Sequence, residues 1–347
     1  MKIRKKRYVL FLFLFLFPAG CSAKEPLIGE HSSQTAGIFA MDTYITITAY
    51  GKEAEAALAD CESRILELEA LLSVTDENSE IYKLNHSEGK PCTVSDDTAE
   101  ILGFALKMAE NTAGALEPTI YPLLTAWGFT TDSYQIPEQS ELEALMNDIG
   151  YDRVQITGNV VALPEGMEID LGAVAKGYTA DELAGLLKEQ GVSSAVISLG
   201  GNVQTVGTKP DGTLWRIGVK SPDDSGNFGI LELGECAVVT SGSYQKYFVG
   251  EDGNTYHHII DPSTGRPAQS GLLSLTVVSA EGKTCDALST ALFVMGKERA
   301  AEYWRENRGF EMILYTEDQK IYITKGLEEA FTIQKEHEAI PVMVIEP

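Results

Sequence analysis

The chain has 347 residues, 44% of them hydrophobic, and sets 27 Lys and Arg against 51 Asp and Glu for a formal net charge of -24. That length and apolar share support a normal core, in two domains or in one large α/β domain. So acidic a surface repels nucleic acid and anionic lipid headgroups, which excludes nucleic acid as a partner, and a polyanionic ligand would need a cation in its site.

Residues 1–20 read as a targeting segment. Lys2, Arg4, Lys5, Lys6 and Arg7 precede an apolar run at 8–17 that is too short to span a bilayer comfortably. Pro18, Ala19 and Gly20 before Cys21 resemble a bacterial lipobox, in which Cys21 is lipidated and becomes the mature amino terminus; Pro18 stands where that pattern prefers Leu. An ordinary cleaved signal is the other reading. The expected organisation is a lipoprotein signal peptide at 1–20, a flexible polar tether at 21–36 and one domain at 37–347. Cys61, Cys92, Cys236 and Cys285 are scattered, with no CxxC pair, no His at zinc spacing and no legible disulfide pairing.

Residues 41–50 alternate like a strand. Residues 53–72 have helical periodicity, with Ala57, Leu58, Cys61, Ile65, Leu68 and Leu72 on one side. The stretch 79–85 reads as a connection, 98–112 as a second helix, 114–129 as irregular, and 141–149 as a third helix with Ser140 as its N-cap. A hairpin is expected at 154–163 around Gly158, then a short strand end at 167–170 and a helix from about 174 to 189, closed by Gly191. Strands follow at 194–198, 215–219, 230–233, 237–239, 256–260 and 273–278. A helix carrying Asp286 ends near Gly296, and 312–315 with 320–324 look like a terminal hairpin. Strands and helices interleave without a strict βαβ rhythm, which predicts an α+β or mixed α/β fold.

Five polar segments carry the chemistry. Asp286 and Thr290 stand four apart, so a carboxylate and a hydroxyl share one helix face a turn apart. Two hard oxygens so placed suit Mg²⁺, which completes its shell with phosphate and water; a helix cap and a satisfied hydroxyl are the plainer reading. Asp170, Gly172, Lys176 and Gly177 join a strand to a helix whose amino end offers free amides to an anion. Gly200 and Gly201 are either a turn or a backbone opened to a ring or phosphate. Thr240, Ser241 and Ser243 surround Gly242 in a hydroxyl-rich loop, either phosphate-binding or an ST-turn. His257 and His258 are adjacent, so their rings should face opposite sides of a strand, one toward the core or site and one outward. One of them is either a core histidine or a group that moves protons at neutral pH.

In this order the segments resemble the ApbE family of FAD:protein FMN transferases. The resemblance also takes in Met41-Asp42-Thr43, Ser79-Glu80-Ile81, Pro118-Thr119 and Trp127-Gly128-Phe129, and covers nearly the whole mature chain. It implies a single large ApbE/T-fold-like domain, with mixed sheets and flanking helices, that splits FAD at its pyrophosphate with Mg²⁺ and passes FMN to a Thr or Ser of a target protein, leaving AMP. It implies a metal site of Asp286, Thr290 and the carbonyl of Ala173. FAD contacts would come from Met41, Ala115, Leu116, Glu117, Asp170, Lys176, His257 and His258, with His258 favoured as the base. Two positions depart from the family pattern. Thr75 stands where an aromatic residue is common, and Leu116-Glu117 replaces Phe-Asp. An exported member would sit on the outer side of the cell membrane, anchored through Cys21, and serve an exported electron-transfer protein. Two other readings use the same residues: an FAD pyrophosphatase giving FMN and AMP, and a flavin-binding lipoprotein with no turnover. A redox flavoprotein finds little support, because no GxGxxG follows a strand.

Overall fold

The computed structural model describes residues 32–131 and 133–347; the expected signal peptide, Cys21 and residues 22–31 of the expected tether lie outside the described residues. Strands β1 (Ser33–Ala40) and β2 (Thr43–Tyr50) pair antiparallel from Ser33↔Tyr50 to Ala40↔Thr43. Residues 33–36 are therefore part of the sheet and not of a tether. The less exposed face of β1 carries Gln34, Ala36, Ile38 and Ala40, one polar residue and two small ones among four, which gave it a weak pattern. Met41 and Asp42 form the two-residue turn, both at positive φ (51° and 58°), so the expected strand starts two residues late.

Helix α1 (Ala54–Leu72) buries the expected stripe. The stretch 79–85 is not a plain connection but helix α2 (Glu80–Asn85), because the Ser79 hydroxyl accepts the Tyr82 amide at 2.9 Å as its N-cap. Strand β3 (Cys92–Thr93) and helix α3 (Asp96–Asn111) follow. Helix α4 (Tyr121–Ala126), with Pro122 in its first turn, lies in the stretch expected to be irregular. Helix α5 (Gln139–Leu145) starts before Ser140, which is not its cap; Glu138 is, without a side-chain bond. Strands β4 (Gln155–Thr157) and β5 (Val160–Ala162) form the expected hairpin. Residues 167–170 make no strand, only a lone bridge from Glu168 to Ile120.

After helix α6 (Ala175–Glu189) come β6 (Ser194–Leu199), β7 (Asn202–Gly207), β8 (Trp215–Lys220), β9 (Asn227–Leu233) and β10 (Ala237–Gly242). Strand β7 escaped the sequence pattern because its buried residues include Asn202, Gln204 and Thr205. The strand expected at 256–260 breaks after His257, so β11 (Tyr247–Val249) pairs β12 (Thr255–His257), while β13 (Ile260–Asp261) pairs β14 (Arg266–Pro267). Strand β15 (Leu272–Ser279) leads to helix α7 (Gly282–Glu306). Gly296, at φ 75°, kinks α7 where its end was expected, and a second segment continues. Strands β16 (Phe310–Thr316), β17 (Ile321–Thr324), β18 (Phe331–Ile333) and β19 (Val342–Ile345) complete the chain.

The main sheet has nine strands in the order β1-β2-β6-β7-β10-β15-β16-β17-β19, antiparallel except for the β17–β19 pair. Helices α1, α6 and α7 pack on one face, and the smaller β18-β9-β8 sheet covers part of the other. Adjacent residues divide between these layers: Val239 and Val277 join the cluster under α7, while Val238 and Val278 meet Phe228 and Leu231. Burial on both faces, about 1.5–3 kcal/mol per aliphatic side chain, explains why 237–239 is apolar without alternation; along 273–278 the small hydroxyl residues Ser274 and Thr276 are buried as well. The architecture is α+β, as expected. Among the described residues no helix is long and apolar enough to cross a membrane.

Candidate active site

A cavity of about 710 Å³ opens where the β1–β2 turn, the 115–118 loop, the amino end of α6 and the start of α7 converge. Helices α6 and α7 meet backbone to backbone at Gly177 and Gly282. A Cβ on Gly177 would overlap the Gly282 carbonyl and stand 2.7 Å from the Asp286 Cβ, and one on Gly282 would stand 2.6 Å from the Gly177 carbonyl. Glycine at both positions is therefore a packing requirement.

Asp286 is 4% exposed and lines the cavity. Its Oδ2 accepts the Gly177 amide at 2.9 Å; among the described residues, Oδ1 takes no hydrogen bond. The plainer sequence reading, a cap on its own helix, is overturned, because Asp286 caps α6 instead. The first amides of α7 are held by Asp181 of α6, which accepts Gly282 N at 2.6 Å and Lys283 N at 2.9 Å. Thr290 lies one turn beyond Asp286 on the cavity wall, with its hydroxyl 3.3 Å from that of Ser241, which also meets Ser289 at 2.8 Å. Ala173 lines the same cavity just before α6.

These donors fit a magnesium ion. Among the described residues no group of three or more His, Cys, Asp and Glu gathers into a side-chain cage. One buried carboxylate with an uncommitted oxygen, one hydroxyl and a carbonyl form a sparse, all-oxygen set, which Mg²⁺ completes with water and phosphate.

The 115–118 loop reaches the cavity with all three of its expected residues. Glu117 lines the cavity, but its carboxylate is turned onto its own chain. Oε1 accepts the Thr119 amide (2.9 Å) and hydroxyl (2.7 Å), and Oε2 accepts the Tyr151 amide (3.1 Å). Burial raises its pKa against those bonds. Glu117 thus shapes the loop while it lines the cavity. Leu116 is a core residue at the cavity floor, and Ala115 lines the wall.

Asp170 Oδ1 accepts the Gly172 amide at 2.8 Å and fixes the turn before α6; burial raises its pKa. The Lys176 ammonium donates to the Gly172 carbonyl at 3.1 Å and lines the cavity. The turn thus presents a cation beside the helix amino end.

The two histidines separate, and neither faces outward as one was expected to. His257 is buried, its Nε2 donates to the Ala268 carbonyl at 3.1 Å, and its ring meets the Phe293 ring edge-on at 5.6 Å. It does not line the cavity, so an FAD contact from His257 is not what the geometry offers. His258 does line it. Its Nδ1 lies 3.1 Å from the Lys246 carbonyl, which can only accept, so Nδ1 carries the proton and Nε2 keeps its lone pair. Burial pushes its pKa down to about 4, which makes the ring neutral at pH 7.

Met41, in the strained turn, donates its amide to Glu69 at 2.7 Å and lines the cavity, as does Thr75. Sequence reading missed Phe39, Glu69, Phe129 and Lys246, all in the lining. The Lys246 ammonium lies 3.8 Å from Asp42 across the mouth. Its position three residues after Ser243 of the hydroxyl-rich loop was the only available signal.

Helix amino ends, hydroxyls and a buried carboxylate around one cavity mark an α+β protein built to hold an anionic ligand. The chain belongs to the ApbE family, whose model matches residues 41–314. It is 33% identical over 329 residues to an FAD:protein FMN transferase of Vibrio cholerae, covering 90% of this chain and 95% of that one. An FAD:protein FMN transferase of Treponema pallidum is 30% identical over 308 residues, covering 82% and 85%. The crystal structure of the ApbE protein of Thermotoga maritima superposes with a TM-score of 0.82 at 31% identity, over 86% of this chain and 99% of that one. Flavin transferase ApbE of Vibrio cholerae gives a TM-score of 0.77 at 29% identity, over 86% and 100%.

Proposed function

We propose that this protein is an FAD:protein FMN transferase that uses Mg²⁺ and a Thr or Ser acceptor. One observation carries the reading: a buried carboxylate with a free oxygen and a neutral histidine with a free lone pair line the same cavity. The acceptor hydroxyl oxygen attacks the phosphorus of the FMN half. The P–O bond to the AMP half breaks, AMP leaves, and the hydroxyl proton passes to Nε2 of His258. Asp286, Thr290 and the Ala173 carbonyl would hold a magnesium ion, which would supply charge neutralisation at the diphosphate. Lys176 and the amino end of α6 hold phosphate oxygens. Asp170 keeps that turn in place, and Met41 with Ala115 shapes the wall against the flavin nucleotide.

Incubation with FAD, Mg²⁺ and an exported acceptor, followed by mass spectrometry, tests this. The expected product is an acceptor carrying one FMN on Thr or Ser, with AMP released in equal amount. Free FMN and AMP with an unmodified acceptor would make the protein a pyrophosphatase. Bound FAD with no AMP would make it a flavin carrier. We also infer that Cys21 is lipidated, that the anchored protein faces outward from the cell membrane, and that its acceptor belongs to an exported electron-transfer system. Labelling with a radioactive fatty acid, lost in Cys21→Ala, checks the anchor.

A further inference from the structure

The contact between α6 and α7 is reciprocal. Asp286 of α7 accepts the Gly177 amide in the first turn of α6, and Asp181 of α6 accepts the Gly282 and Lys283 amides in the first turn of α7. Between the two caps lies the Gly177–Gly282 crossing, where neither helix has room for a side chain. Asp286 is the fifth residue of α7, one turn beyond the amides that Asp181 holds. Helix ends fray from their first free amides, so the Asp181 cap sets whether that turn is rigid.

We propose that Asp181 is a positioning residue for the cation site, one that holds the start of α7 so that Oδ1 of Asp286 and the Thr290 hydroxyl face the cavity together. The proposal rests on the Mg²⁺ reading above. Asp181 does not line the cavity, so it touches neither ligand nor cation and acts only through α7. The cross-connection also ties Ala173, just before α6, to Asp286 on α7. A ligand set drawn from two helices needs such a tie, and support of this kind is typically worth about tenfold or more in metal affinity. The effect should fall mainly on the cation, because the other FAD contacts lie on the 115–118 loop, the β1–β2 turn and the Asp170–Lys176 turn, whose bonds do not involve Asp181.

The test uses the full chain and Mn²⁺ as a paramagnetic stand-in for Mg²⁺, with bound ion measured from loss of the free-ion EPR signal. Asp181→Ala should weaken Mn²⁺ by about tenfold. Asp181→Asn, whose amide oxygen can still accept one of the two amides, should weaken it by less. FAD affinity measured by flavin fluorescence in EDTA should stay within about twofold for both, a split that general loosening of the fold would not give. Should the alanine variant fail to fold, Asp181→Ser takes its place with the same expected direction. Wild-type Mn²⁺ affinity in these variants, or equal losses of Mn²⁺ and FAD, would overturn the proposal while leaving the metal reading intact. A wild-type protein that binds no Mn²⁺, with or without FAD, would sink both.

Discussion

His258 has a folded-state pKa pushed down to about 4 by burial, below the ordinary value of 6.5. Between those values the unfolded chain binds the proton and the folded one does not. The stability this group contributes is therefore complete above pH 6.5 and is lost as pH falls toward 4, on the order of 3 kcal/mol across the window. His257, also lowered by burial, works in the same direction. His258→Gln should flatten the acid side of a stability-versus-pH curve from denaturant titrations; an unchanged slope would show that the ring is hydrated. The same variant should slow FMN transfer by about a hundredfold or more with FAD affinity nearly unchanged, and equal losses would make His258 a binding group. On the magnesium reading proposed above, Asp286 has two separable duties. Asp286→Ala removes the α6 cap as well as a cation ligand, so it should cost about 1 kcal/mol of stability along with Mg²⁺-dependent activity. Asp286→Asn keeps an oxygen for the Gly177 amide and should lose the activity at near wild-type stability.

Helices α6 and α7 form the element on which the site depends, and their contact gives a sharp contrast between two glycines. Gly177→Ala puts a methyl group into the Gly282 backbone and should destabilise by about 1–3 kcal/mol, with Mg²⁺-dependent turnover lost alongside. Gly185→Ala, two turns along the same helix where nothing lies within 4 Å of a Cβ, should be neutral or stabilise by up to about 1 kcal/mol. Equal denaturation midpoints for the pair would show that the helices can slide apart freely. The same contrast marks what sequence could reveal. Asp286 with Thr290 was legible because spacing within one helix fixes which side chains share a face, and the Asp170–Lys176 segment because a glycine-bearing turn that enters a helix is a local pattern. The Asp181–Gly282 and Asp286–Gly177 bonds join residues about a hundred positions apart, and no local pattern encodes them. The bonds of Glu117 to Thr119 and Tyr151 likewise appear only once the loop has folded. Strand β7 was hidden by its buried Gln204 and Thr205, and β1 by its small residues, since both break the apolar alternation that identifies strands.

At the scale of the whole molecule, the net charge of -24 acts on any approaching anion. FAD carries its negative charge on the diphosphate, so long-range repulsion should slow its entry, while Lys176 and Lys246 attract it only once it has reached the cavity. Salt acts differently on the two distances, because a Debye length of about 10 Å at 0.1 M screens the distant acidic surface more than contacts inside the cavity. In EDTA the association rate of FAD, followed by stopped-flow flavin fluorescence, should therefore rise a few-fold between low and moderate ionic strength. With saturating Mg²⁺ the rise should flatten, because on the proposed reading the cation would neutralise charge at both the site and the diphosphate. A rate that falls with salt in EDTA would show that the two lysines steer the ligand from a distance and that the acidic surface elsewhere is irrelevant to entry.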